Sequence, residues 1–129
     1  MPLELRVLPD RLAVCRLPAA SALPDWAVSG GLSSATWTAD ETSIVCAEAG
    51  VPLGVTADLG WRALAVAGPL DFGLTGILLS IAQPLAEAGV SVFALSTYDT
   101  DYVLVKGDTL AIAIAALAAS GHRIIEAGG

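Results

Sequence analysis

The strongest constraint on this chain is a segment that occurs twice. ATWTADETSIVC, from Ala35 to Cys46, runs parallel to ALSTYDTDYVLV, from Ala94 to Val105, at a constant offset, with matches at Ala35/Ala94, Thr38/Thr97 and Asp40/Asp99. Each copy reads as a strand, a polar tight turn and a second strand, the pattern of a β-hairpin. A hairpin that recurs intact predicts two copies of one folding unit within 129 residues. In the second copy, Asp99 and Thr100 suit the turn, Thr97 and Asp101 can hydrogen-bond across it, and Tyr98 and Tyr102 can cover apolar edges with their rings. The turn survives in TADETS, where its surroundings differ, so its polar residues serve the fold by fixing the register of an edge hairpin.

Around the second hairpin the chain is easy to read. WRALAVAG (61–68) is β-like and stops at Gly68-Pro69; Leu74, Ile77, Leu78, Ile81 and Leu85 then recur at helical spacing up to Gly89, with Pro84 expected to bend the last turns. After the hairpin, Leu110, Ile114 and Leu117 mark a second helix entered at Asp108, and RIIE forms a last short strand. The order is β-α-β-β-α-β, the split βαβ or ferredoxin-like arrangement.

Around the first hairpin the helices are missing. LELRVL and RLAVCRLP are expected to pair about Pro9-Asp10, and LAVC (12–15) echoes LAVA (64–67). In place of a first helix stands AASALPDWAVSGG, with room for one turn, and after Cys46 comes only AEAGVPLGVTADLG, a short connection rich in Gly and Pro. The expected class is α+β: a degenerate, helix-poor unit over 1–60 and a complete one over 61–129.

The run GPLDFGLTGILLSIAQPLAEAGVSVFALSTYDTDYVLVKGDTLAIAIAAL resembles an ACT domain, in particular the paired-ACT group that includes the CASTOR amino-acid sensors and small bacterial relatives. The resemblance is strong over 61–125 and fainter, mostly in the hairpin, over 1–60. It implies two ACT-like, ferredoxin-like βαββαβ units, and the habit of binding a free amino acid at an interface between ACT units.

Two places could hold such a ligand. In the loop AGPLDFGLTG, Gly73 and its neighbours allow backbone to approach a ligand, and the free N–H groups at the helix start, around Phe72, Gly73 and Leu74, offer a seat for a carboxylate. No Gly-Lys-Ser/Thr follows, so this is not a phosphate loop. Asp71 has two duties open to it, capping the helix or meeting a ligand's ammonium group. The second place is the strand opening GVSVF, a sheet edge whose unpaired backbone can take a partner strand or a zwitterion. By the resemblance, Ser91 and Val92 lie where sensors of this group touch the amino acid. Leu70, Phe72 and Phe93 supply apolar walls, which leaves the identity of the amino acid open.

Other function classes fit poorly. The six basic residues are scattered and net charge is −7, so no stripe exists to neutralise phosphates and nucleic acid is not an expected partner. The uncharged stretches 72–86 and 109–121 are too short to span a bilayer. The start, MPLELRVLPD, lacks the apolar core of a secretory signal, and the expected address is cytoplasmic. Cys15 and Cys46 sit in strand-like runs as small hydrophobes, without metal or redox spacing. His122 is the single histidine, expected to be structural at a helix end, and no motif pairs a nucleophile with a base. No cofactor, metal or catalytic residue is expected. The reading is a non-enzymatic amino-acid sensor, expected to be a homodimer through strand 90–97 or the helices beside it. The alternative is a ligand-free interaction module that docks as a detached regulatory subunit on an enzyme.

Overall fold

A computed structural model of the chain describes residues 2–68 and 76–126. Its strands are β1 (Glu4–Val7), β2 (Leu12–Leu17), β3 (Ser34–Trp37), β4 (Thr42–Ala47), β5 (Thr56–Val66), β6 (Val92–Ser96), β7 (Asp101–Lys106) and β8 (Arg123–Glu126). Its α-helices are α1 (Ile77–Glu87) and α2 (Leu110–Ala119). The fold is α+β, built from two ferredoxin-like units of which the N-terminal one is poor in helix. The contacts group Asp10–Trp61 as one unit and join the first nine residues to Arg62 and beyond as the other.

In the unit Asp10–Trp61 the strand order is β3-β4-β2-β5, all antiparallel. Short 3-10 turns at Asp25–Ala27 and Glu48–Gly50 stand where a complete unit has helices. Pro24 precedes the first turn and Gly30 and Gly31 follow soon after, so the segment is too interrupted to propagate a helix. Trp26 and Ala27 do the helix's work, packing with Ala13, Cys15, Ile44 and Cys46 on one face of the sheet.

The other unit differs from the expected order in one respect. β7 pairs with β6 and β5, β5 pairs with β1, and β1 pairs in parallel with β8, so the N-terminal strand lies between β5 and β8. The expected hairpin about Pro9-Asp10 does not form. β1 lies against the second half of β5 (Leu5↔Val66, Val7↔Leu64), and β2 against the first half (Leu12↔Trp61, Val14↔Asp58). The reason is burial: Leu5 and Val7, 0% and 3% exposed, belong to the core under the helices with Leu64, Val66, Val103 and Val105.

That core also exposes the LAVC/LAVA echo as fortuitous. Leu64 and Val66 point to the helices, whereas in the other unit Ala13 and Cys15 point to the 3-10 turn side. The echo aligns Leu12 with Leu64, yet Leu12 alternates with Ala13 and faces away from that side, so the echo is one residue out of phase with the structure.

Ile77, Ile81 and Leu85 form the inner stripe of α1, and Leu78, expected among them, is 37% exposed. The helix begins at Ile77 because Gly76 takes the left-handed conformation (φ 75°) at its N-cap. Pro84 lies inside α1 and has no N–H to bond the carbonyl of Ser80, four residues back. His122 fills that vacancy: its Nε2 lies 2.9 Å from Ser80 O, while Nδ1 accepts the Leu3 N–H at 3.1 Å. One nitrogen must donate and the other accept, so the ring is the neutral Nε2–H tautomer. The expected structural role holds, with a carbonyl and an N–H as partners in place of a helix dipole acting on a cation.

Candidate functional site

The two hairpin turns share one hydrogen-bond pattern. Thr97 N–H donates to Thr100 O at 2.8 Å, and the Thr97 hydroxyl both donates to Thr100 O and accepts from Thr100 N–H. In the first copy Thr38 N–H donates to Glu41 O at 2.9 Å, and its hydroxyl bonds the O and N–H of Glu41 in the same way. Threonine at the turn's first position closes both turns by itself. Asp101 accepts from Ser96 Oγ at 2.7 Å, and Thr100 Oγ1 donates to Val66 O at 2.7 Å, tying the turn to the end of β5.

Of the candidate ligand residues, Leu70, Asp71, Phe72, Gly73 and Leu74 lie outside the described residues. Ser91 and Val92 stand at the start of β6, which among the described residues pairs with β7 alone and is a sheet edge. Pairing puts Val92 and Ala94 opposite Val105 and Val103, on the helix side, and Phe93 opposite Leu104 on the other side. Val92 is 39% exposed and Phe93 half-buried, whereas Val90 is in the core and not on the edge. The pairs Val92↔Val105 and Ser96↔Asp101 are four steps apart, about 13 Å at 3.3 Å per residue. The end of β5 meets the turn, beyond Ser96, so Gly68 and Ser91 belong to opposite ends of one unit.

A pocket of about 300 Å³ opens on the helix-free face of this unit. Arg6 of β1, the stretch Ala65–Gly68 at and just beyond the end of β5, and Asp99, Thr100 and Tyr102 of the hairpin line it. Sequence reasoning missed it because Arg6 is remote in the chain and reaches the pocket only through the insertion of β1 beside β5, with Arg6 opposite Ala65.

The two thiols offer no reactive centre. Burial is the main cause that pushes Cys15 up to about 11, helped by the charge of neighbouring Cys46 and a hydrogen bond between them; burial also raises Cys46. Both stay protonated and poorly nucleophilic at neutral pH. Among the described residues no group of three or more His, Cys, Asp or Glu is placed to hold a metal ion, and no helix is long and apolar enough to cross a membrane.

Comparison with known proteins fits this architecture. The profile of the ACT domain matches residues 56–119. An Agrobacterium tumefaciens protein solved by X-ray crystallography superposes with a TM-score of 0.94 at 37% identity, over 100% of this chain and 96% of that one. The cytosolic arginine sensor for mTORC1 subunit 1 of Bos taurus is 40% identical over 78 residues, which are 57% of this chain and 24% of that protein. The chain belongs to the ACT domain family. It is related to the arginine sensors and spans less than a quarter of the length of the bovine one. The regulatory subunit of aspartate kinase from Thermus flavus shares the ACT fold, with a TM-score of 0.62 at 10% identity over 90% of this chain and 95% of that one.

Proposed function

We propose that this ACT protein is a non-enzymatic, cytoplasmic regulator that binds a free amino acid at an interface between ACT units. The observation that carries the reading is its 40% identity to an arginine sensor, a protein whose named task is to sense an amino acid. The loop about Asp71 would hold one end of the ligand and the backbone of Ser91 and Val92 the other. Support for a site shared between two copies comes from the separation of Gly68 and Ser91 within one unit, since a symmetry mate can bring the start of β6 to the loop. Leu70, Phe72 and Phe93 would wall the side chain, and Gly73 and Leu74 would present N–H groups.

Two half-sites on two chains make ligand binding and association thermodynamically linked. Thermal shift against the twenty amino acids tests the reading: at 100 times its dissociation constant a ligand stabilises by about 2.7 kcal/mol, several degrees in a chain of this size. Silence from all twenty refutes it and favours the ligand-free docking module. With a binder in hand, Asp71→Asn is expected to weaken affinity by about 1.5–3 kcal/mol with little change in the melting temperature of the free protein, because the N-cap of α1 is Gly76, so the expected capping duty does not fall to Asp71. Unchanged affinity removes Asp71 from the site.

A further inference from the structure

The two hairpins are equivalent, but their surroundings on the helix-free face differ in one respect. In the first unit a wider pocket of about 440 Å³ lies at the corresponding place, with Arg16, Glu41, Ser43, Thr56 and Asp58 among its lining residues. There the central strand β2 contributes Arg16, opposite Ser43 on one side and Thr56 on the other, and its Nη2 donates to the turn carbonyl of Asp40 at 3.2 Å. A cation of the chain itself occupies the turn. In the second unit the hairpin offset carries Asp40 to Asp99 and Ser43 to Tyr102, and the central strand and the residues just after it contribute Ala65, Val66, Ala67 and Gly68 to the pocket. None of these four residues carries a polar side chain. The cation has moved to the flanking strand, as Arg6, and about 300 Å³ stands open between Arg6 and Asp99.

The polar residues of this hairpin divide accordingly. Ser96, Thr97, Thr100 and Asp101 are committed to the hydrogen bonds that set the turn. The side chains of Arg6, Asp99 and Tyr102 have no hydrogen bond or ion pair among the described residues, and they are the polar side chains that line the pocket with Thr100. A guanidinium on one wall and a carboxylate on another, around a space at the small end of the range for ligand pockets, match a molecule with a negative and a positive end close together.

We propose that the pocket between Arg6, the stretch Ala65–Gly68 and Asp99 is a second seat for a free α-amino acid, complete within one unit. The ligand's carboxylate meets Arg6, and its ammonium group lies toward Asp99, on the turn that Arg16 occupies in the first repeat. The proposal rests on the reading that the chain binds amino acids. It differs from the interface site in needing neither Asp71 nor a second copy.

The test is calorimetric titration of the wild-type chain and three variants with each amino acid that shifts the wild-type melting temperature in a screen of all twenty. Arg6→Gln and Asp99→Asn each remove one charge from an exposed side chain and are expected to weaken binding at this seat about tenfold or more. Ala65→Leu fills the pocket with apolar bulk and is expected to abolish binding there. Melting of each free variant checks that it is folded. Unchanged affinity and stoichiometry in Arg6→Gln and Asp99→Asn overturn the seat, and loss of binding in Asp71→Asn alone then leaves the interface reading standing. A wild-type chain that responds to none of the twenty overturns both.

Discussion

At the scale of single residues, Pro84 and His122 explain each other. A proline inside α1 leaves the Ser80 carbonyl without its helical donor, and a buried imidazole, 6% exposed, supplies one from 42 residues away. Removing the ring by His122→Ala should cost about 1–3 kcal/mol for each buried group left unpaired. Pro84→Ala returns an N–H to the helix, able to reach the same carbonyl. His122→Ala should therefore cost less in the Pro84→Ala background, with a coupling on the order of 1 kcal/mol. Chemical denaturation of the wild type, both single variants and the double variant measures it, and strictly additive effects would disprove the link. Neither role was legible in the sequence, because Pro84 and His122 are brought together only by the packing of β8 and the N-terminus against α1. The turn threonines are the opposite case. Thr38 and Thr97 act on residues three positions away, so their duty could be read from the repeated segment.

Among the elements, β1 is small and decisive. It provides the partner of β8 and a neighbour of β5, and it adds Leu5 and Val7 to the core beneath the helices. Large-to-small changes at such core positions cost about 2–5 kcal/mol each for Leu, so deleting the first nine residues removes an amount comparable to the whole stability of a domain, about 5–15 kcal/mol. The segment 61–129, read as a complete domain by its β-α-β-β-α-β pattern, is therefore expected not to fold alone. Near-ultraviolet circular dichroism of a chain starting at Asp10 should show lost tertiary packing. A cooperative melt within a few degrees of the full chain would show that β1 is dispensable. Helical periodicity located α1 and α2 through Ile77/Ile81/Leu85 and Leu110/Ile114/Leu117, which repeat at that spacing; Ile77, Ile81, Leu85 and Leu117 are buried, and Leu110 and Ile114 pack partly buried against the same core. The place of β1 was not legible, since a short alternating strand fits any sheet edge equally well.

At the scale of the molecule, the unpaired edge of β6 carries Val92, 39% exposed, and α1 turns out Leu79, 64% exposed. α2 has no polar residue from Leu110 to Ala119, and Ile112 on it is 52% exposed. Apolar edges and helix faces of this kind are normally covered. The expectation is a homodimer with β6 of each copy at the interface. Light scattering after size exclusion at tens of micromolar should give twice the chain mass, and Val92→Glu should give a monomer. A wild-type monomer with and without amino acids would refute the dimer.

The sequence by itself determined the two-unit plan, the hairpins, the two helices and the loss of helix from the first unit. Each of these depends on residues close together in the chain: a threonine and the carbonyl three residues on, an apolar stripe at helical spacing, a proline followed by glycines. Only the tertiary structure decided that the first nine residues join the second unit, that His122 repairs α1, and that Arg6 and Asp99 line one pocket. Those outcomes depend on which strand wins the space beside β5. That competition is settled by the burial of Leu5 and Val7 in a core assembled from distant segments, a quantity that no local pattern encodes.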